Sequence, residues 1–194
     1  MPAPMMATTS APLKHFAYTG FCDPAGGSGQ DSMTLGIAHL EENIALLDLL
    51  REIKLPFSPQ DAAEQFSDVI KAYGIKRVFG DRYAAAWVVD AFQLHGVTYE
   101  HSELNRSELY VNLLPMMNSR TCALIDNERL RRQLLGLERR TGRSGRDTID
   151  HARGAHDDLA NAAAGALALA KHESMARSIP GFSRRLDLPR MSVA

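Results

Sequence analysis

Asp23, Asp81 and the adjacent pair Asp157 and Asp158 each stand where an apolar segment gives way to a turn or a helix start. Asp23 follows the run from His15 to Cys22, Asp81 follows Arg77-Val-Phe-Gly80, and Asp157-Asp158 open the alanine-rich stretch Leu159 to Ala170. If the fold brings these ends together, three or four carboxyl groups meet at one spot. Their repulsion is relieved most directly by divalent cations, which are hard ions that take oxygen ligands. The chemistry on offer is therefore that of a bound metal ion.

A second charged feature lies between the last two of these positions. From Arg129 to Arg153 there are eight arginines and only three acids, Glu138, Asp147 and Asp150. This asymmetry suits a phosphate-rich partner. It also divides the chain, since residues 1–100 carry 7 basic and 12 acidic side chains whereas 101–194 carry 15 and 11. The net charge of −1 conceals that division.

The elements that position these residues follow from length and pattern. A chain of 194 residues that is 45% hydrophobic buries a core of its own and favours one domain. Residues 1–13, rich in Pro, Ala, Thr and Ser, read as a disordered N-terminal segment, 14–172 as the folded domain, and 173–194 as a basic C-terminal tail. His15 to Cys22, Ser32 to His39 and Ile44 to Ile53 read as three strands in a meander, with a Gly-rich turn from Pro24 to Asp31. A helix follows, with Ser58 as N-cap, Pro59 at its first position and Gly74 as its stop. The pattern then alternates: strand Lys76 to Gly80, helix Tyr83 to His95, strand Val97 to His101, helix Asn105 to Asn118. Asn105 and Glu108 predict a capping box there, and Pro115 a bend or shortening. Thr121 to Ile125 reads as strand or extended chain, Asn127 to about Arg140 as helical, Thr141 to Arg153 as a loop or hairpin, and about Asp157 to His172 as the last helix. The order is α/β, a mixed five-stranded sheet flanked by helices, as in ribonuclease H-like nucleases. In that topology Asp23 and Asp81 end neighbouring strands, roughly 4.8 Å apart.

Cys22 and Cys122 show no metal-ligand spacing and read as reduced core thiols. No stretch reaches the roughly 18 consecutive apolar residues of a membrane span, and the N-terminus lacks the pattern of a secretion signal. A cytoplasmic protein is expected.

Several local strings carry a closer likeness. Phe21-Cys-Asp23-Pro-Ala-Gly-Gly27, Gly80-Asp-Arg-Tyr-Ala-Ala-Ala-Trp87, Ser107 to Ser119, Arg129 to Arg139, and Gly145-Arg-Asp-Thr-Ile-Asp-His151 leading to His156-Asp-Asp-Leu-Ala-Asn-Ala162 occur in this order. Together they resemble the nuclease domain of the large subunit of tailed-bacteriophage terminases, from about Phe16 to Ala170. The resemblance implies a metal-dependent endonuclease that cuts concatemeric viral DNA during genome packaging, in the host cell cytoplasm. It implies Asp23 and Asp81 as catalytic metal ligands, with Asp158 or Asp157 as the third; the choice within that pair stays open, because successive helical residues point about 100° apart. Terminase large subunits also carry an ATPase, yet no GxxxxGK[ST] phosphate loop is present here, and Gly26-Gly-Ser-Gly29 lacks the lysine. Translocation would need an ATPase domain or other motor components as partners.

Two Mg²⁺ or Mn²⁺ ions roughly 3.5 to 4 Å apart can activate water, relieve phosphate charge and stabilise the leaving oxygen. An all-oxygen donor set suits them, and the shortage of nearby histidine argues against zinc. Arg139, Arg140, Arg143, Arg146 and Arg153 are the candidates for contacting double-stranded DNA. Taken singly, Asp157 and Asp158 also suit a helix N-terminus, Asp81 an N-cap, and Asp23 a turn before Pro24. The alternatives to a terminase-like nuclease are another ribonuclease H-like enzyme such as a junction resolvase, or a non-catalytic DNA-binding or docking module of a packaging complex.

Overall fold

The computed structural model describes residues 6–7, 12–13, 15–25, 31–81, 86–141 and 147–178. Strands β2 (Tyr18–Asp23), β3 (Met33–Glu41) and β4 (Ile44–Ile53) form the expected antiparallel meander. Glu42 and Asn43 connect β3 to β4, both with positive φ (46° and 68°), as a two-residue hairpin turn matched to the strand twist requires. The Gly-rich segment 26–30 lies outside the described residues.

Helix α1 (Pro59–Ala72) begins and ends where its punctuation predicts. The Ser58 hydroxyl accepts from the Asp61 N–H, Pro59 occupies the first turn, and Gly74 follows the end at φ 70°. Then come β5 (Arg77–Gly80), α2 (Ala86–Leu94), β6 (Thr98–His101) and α3 (Arg106–Asn118). The capping box of α3 forms in full: Glu108 N–H donates to Asn105 Oδ1 and Asn105 N–H to Glu108 Oε2, at 3.0 and 2.9 Å. Pro115 does not shorten this helix, which runs to Asn118; placed in the last turn, it removes a single backbone donor.

The remaining elements are β7 (Cys122–Ile125), α4 (Glu128–Leu135), β8 (Leu137–Thr141), β9 (Asp147–His151) and α5 (Asp158–Ser178), with a two-residue β1 (Met6–Ala7) near the start. Two expectations fail here, the first being the end of the last helix, which runs past His172 into the expected tail as far as Ser178. The helix predicted from Asn127 to about Arg140 stops at Leu135, because Gly136 caps it and Leu137 onward pairs with β9 as a hairpin. Residues 142–146 between those strands, and 179–194 of the predicted tail, lie outside the described residues.

The sheet order is β1-β7-β4-β3-β2-β5-β6. The contiguous strands β4-β3-β2-β5-β6 are the five expected of a ribonuclease H-like fold, and β7 with the short β1 extends the β4 edge in parallel to make seven. β5 lies parallel to β2 with Cys22 opposite Gly80.

Helices cover both faces. On one, Cys22, Leu35, Ile37 and Leu49 pack against Ala62, Phe66 and Ile70 of α1 and Val88 and Phe92 of α2. On the other, Phe21, Ala38 and Leu47 meet α5, which is held beneath α3 and α4. Because α5 is enclosed by the sheet and two helices, its stretch from Leu159 to Ala170 is apolar nearly all round, and the alanines there bring its backbone close to the strands. A Cβ on Gly36 would stand 2.5 Å from the Ala162 carbonyl oxygen, so β3 can approach α5 only with glycine there. This tight seating fixes the start of α5 over the strand ends.

Candidate metal centre

Asp23 is the last residue of β2, and Asp81 follows directly on β5. Since these strands are parallel neighbours with Cys22 opposite Gly80, the two acids leave the same end of the sheet side by side. Gly80 is required for this approach, because a Cβ there would overlap the Tyr99 hydroxyl and the Cys22 carbonyl. The Asp81 carbonyl then accepts from Tyr99 Oη at 3.4 Å and from His101 Nδ1 at 3.3 Å, both side chains belonging to β6.

Asp158, the first residue of α5, is tied to that same end. Thr34, the β3 residue paired with Asp23, donates its hydroxyl to the Asp158 carbonyl at 2.8 Å. The Ser32 N–H donates to Asp158 Oδ2 at 3.1 Å. Asp158 is buried, and its carboxyl is held above the usual range by that burial; the Ser32 N–H pulls it back down, and Asp31 pushes it up again.

Asp23 shows the strongest perturbation of the set. Its carboxyl is pushed up to about 7, first by desolvation, with the charges of Asp158 and Asp81 acting in the same direction and an Asn161 hydrogen bond and Arg106 opposing them. A carboxyl that resists ionisation among like charges at neutral pH is the electrostatic state a bound cation relieves.

The adjacent pair divides. Asp157, 2% exposed, has its oxygens occupied: Tyr110 Oη donates to Oδ2 at 2.7 Å and Arg106 to Oδ1 at 2.9 Å. Asp158 instead belongs to a trio with Asp31 and His156, whose ligand atoms lie within 4.8 Å of one another. His156 Nδ1 is 3.1 Å from Asp31 Oδ1. Among the described residues this trio is the tightest set of potential ligand atoms, and it is not the one that the sequence singles out. The expected shortage of nearby histidine is thereby corrected, since His156 stands beside Asp158 and His151 Nε2 lies 3.9 Å from Asp157. Sequence reasoning also missed Ser32, Arg106, Tyr110 and Asn161, whose partners are remote in the chain and leave no local pattern. For Asn161 the available signal was its position one helical turn after Asp158.

The basic hairpin lies next to this centre. Ile149 N–H of β9 donates to Ser107 Oγ at 2.8 Å, one residue from Arg106, and Arg106 is 3.9 Å from Asp150. Arg139 and Arg140 are exposed on β8, where Arg140 bonds Glu138 at 2.8 Å, and Arg153 is exposed in the turn after β9. Arg143 and Arg146 lie outside the described residues. Of the two cysteines, both free, Cys22 is buried and Cys122 half-buried. Among the described residues no helix is long and apolar enough to cross a membrane.

No protein-family model matches the chain, and no curated protein does. Solved structures do match in fold. The large terminase nuclease from thermophilic phage G20c superimposes with a TM-score of 0.70 at 16% identity, covering 84% of this chain and 89% of that one. The same nuclease with bound magnesium gives a TM-score of 0.69 at 16% identity and the same coverage. The nuclease domain of the large terminase subunit of bacterial virus Sf6, a mutant form with manganese and beta-thujaplicinol, gives 0.60 at 13% identity over 84% of this chain and 90% of that one. The chain thus has the fold of phage large terminase nuclease domains.

Proposed function

We propose that this chain is a divalent-cation-dependent DNA endonuclease of the terminase type, cutting concatemeric viral DNA during genome packaging. The observation that carries the reading is the electrostatic state of Asp23, a carboxyl pushed up to about 7 where β2, β5 and α5 deliver Asp23, Asp81 and Asp158 to one end of the sheet. The donor set fits a hard cation: its carboxylates are crowded, and Arg106, the cation opposing Asp23's shift, is engaged with Asp157. Asp23, Asp81 and Asp158 would hold the metal. Asp157 is assigned to the support of Arg106 and Tyr110 rather than to direct ligation, on the strength of its occupied oxygens.

When bound, two Mg²⁺ or Mn²⁺ ions supply an activated water and charge relief on the phosphate. The chain's own residues supply position. Thr34 and Ser32 hold Asp158 against β3, and Tyr99 and His101 fix the backbone that carries Asp81. Arg139, Arg140 and Arg153, together with Arg143 and Arg146, would hold the phosphate backbone of double-stranded DNA beside the acids. Power for translocation would come from an ATPase domain or other components of a packaging motor.

Incubation of the purified protein with supercoiled plasmid should give nicked and linear DNA in Mn²⁺ and none in EDTA. Cleavage that persists in the chelator would contradict the proposal. DNA binding without metal-dependent cutting would favour the docking-module reading.

A further inference from the structure

Asn161 is 1% exposed and lies on α5 one turn after Asp158. Its side chain hydrogen-bonds the Asp23 carboxyl, which fixes the amide group against the most perturbed acid of the centre. That bond uses the amide N–H. The Oδ1 atom is fully buried and has no hydrogen-bond partner.

A buried amide oxygen left unpaired is costly, and native folds rarely keep one without a use. Here the surroundings indicate the use. The oxygen belongs to a group that bonds Asp23 and is carried one helical turn from Asp158, so the amide stands beside two of the acids. Amide oxygens are ordinary ligands for hard divalent cations, and a neutral one adds a donor without adding to the repulsion among the carboxylates.

We propose that Asn161 completes the cation site of this chain, giving its Oδ1 to the metal while its amide N–H holds Asp23 in position. The proposal rests on reading the centre as a cation site. It separates into two roles that substitution can distinguish: Asn161→Ala removes both the oxygen and the N–H, whereas Asn161→Asp keeps an oxygen and removes only the N–H.

Mn²⁺ binding measured by calorimetry on the full chain, with melting temperature as a check of folding, provides the test without recourse to activity. Asn161→Ala is expected to weaken Mn²⁺ binding by about tenfold or more, and Asn161→Asp to bind within about threefold of wild type or more tightly. Wild-type affinity in a folded Asn161→Ala protein would overturn the proposal. So would a loss in Asn161→Asp of at least tenfold, because the amide would then act only as a donor to Asp23. If Asn161→Ala does not fold, the near-isosteric Asn161→Asp decides alone. Failure of the wild-type protein to bind Mn²⁺ would overturn the cation-site reading itself, and this proposal with it.

Discussion

Asp23→Asn is expected to reduce Mn²⁺-dependent plasmid cleavage about a thousandfold and, in the absence of metal, to raise the melting temperature at pH 8. Both effects have one origin. The folded protein holds the Asp23 carboxyl up to about 7, against an ordinary value of 3.8, mainly through burial and with help from Asp158 and Asp81. Between these two values the folded state keeps a proton that the unfolded chain has released. Stability therefore falls as pH rises through that window, and the loss is complete above pH 7. Its size, on the order of 3 kcal/mol, follows from the shift after allowance for partial exposure. Asparagine cannot ionise, so the difference in melting temperature between the variant and wild type should grow from pH 5 to pH 8. Mn²⁺ should reverse the ranking by stabilising only the wild type. Parallel melting curves across pH, with equal Mn²⁺ shifts, would contradict the account.

The second large effect separates two adjacent residues. Asp157→Ala strips the acceptor from the Arg106 guanidinium and the Tyr110 hydroxyl, both of which reach it from α3. Breaking a buried pair from one side costs about 3 to 5 kcal/mol; Arg106 keeps some exposure, so about 3 kcal/mol is expected from urea denaturation. Asp158→Ala loses one bond from the Ser32 N–H and removes a carboxyl that burial already disfavours in its charged form. Its stability should stay within about 1 kcal/mol of wild type while cleavage disappears. Equal destabilisation by the two substitutions, or full cleavage by Asp158→Ala, would show that the division of roles is wrong.

The sequence and the fold agree where the controlling physics is local. Ser58, Pro59 and Gly74 bound α1 through their own backbone preferences, and the Asn105–Glu108 box does the same for α3. The acids were legible as element ends, and Asp23 does close β2. Agreement fails where a distant partner decides. Leu130, Leu134 and Leu137 continue a helical stripe, but Leu137 pairs with His151 across the hairpin, and no local period encodes that choice. The division between Asp157 and Asp158 was equally hidden. It depends on Tyr110 and Arg106, some fifty residues upstream, and on Ser32, 126 residues away. Asn161 sits within an alanine-rich helix whose pattern announces burial and nothing more.

The central claim is that remote carboxylates share a cation at the end of the sheet, and anomalous scattering from Mn²⁺-soaked crystals tests it most directly. The account predicts a manganese peak within roughly 2.5 Å of carboxylate oxygens from both Asp23 and Asp158. A peak held by Asp31 and His156 without Asp23, or no peak at saturating Mn²⁺, would contradict it.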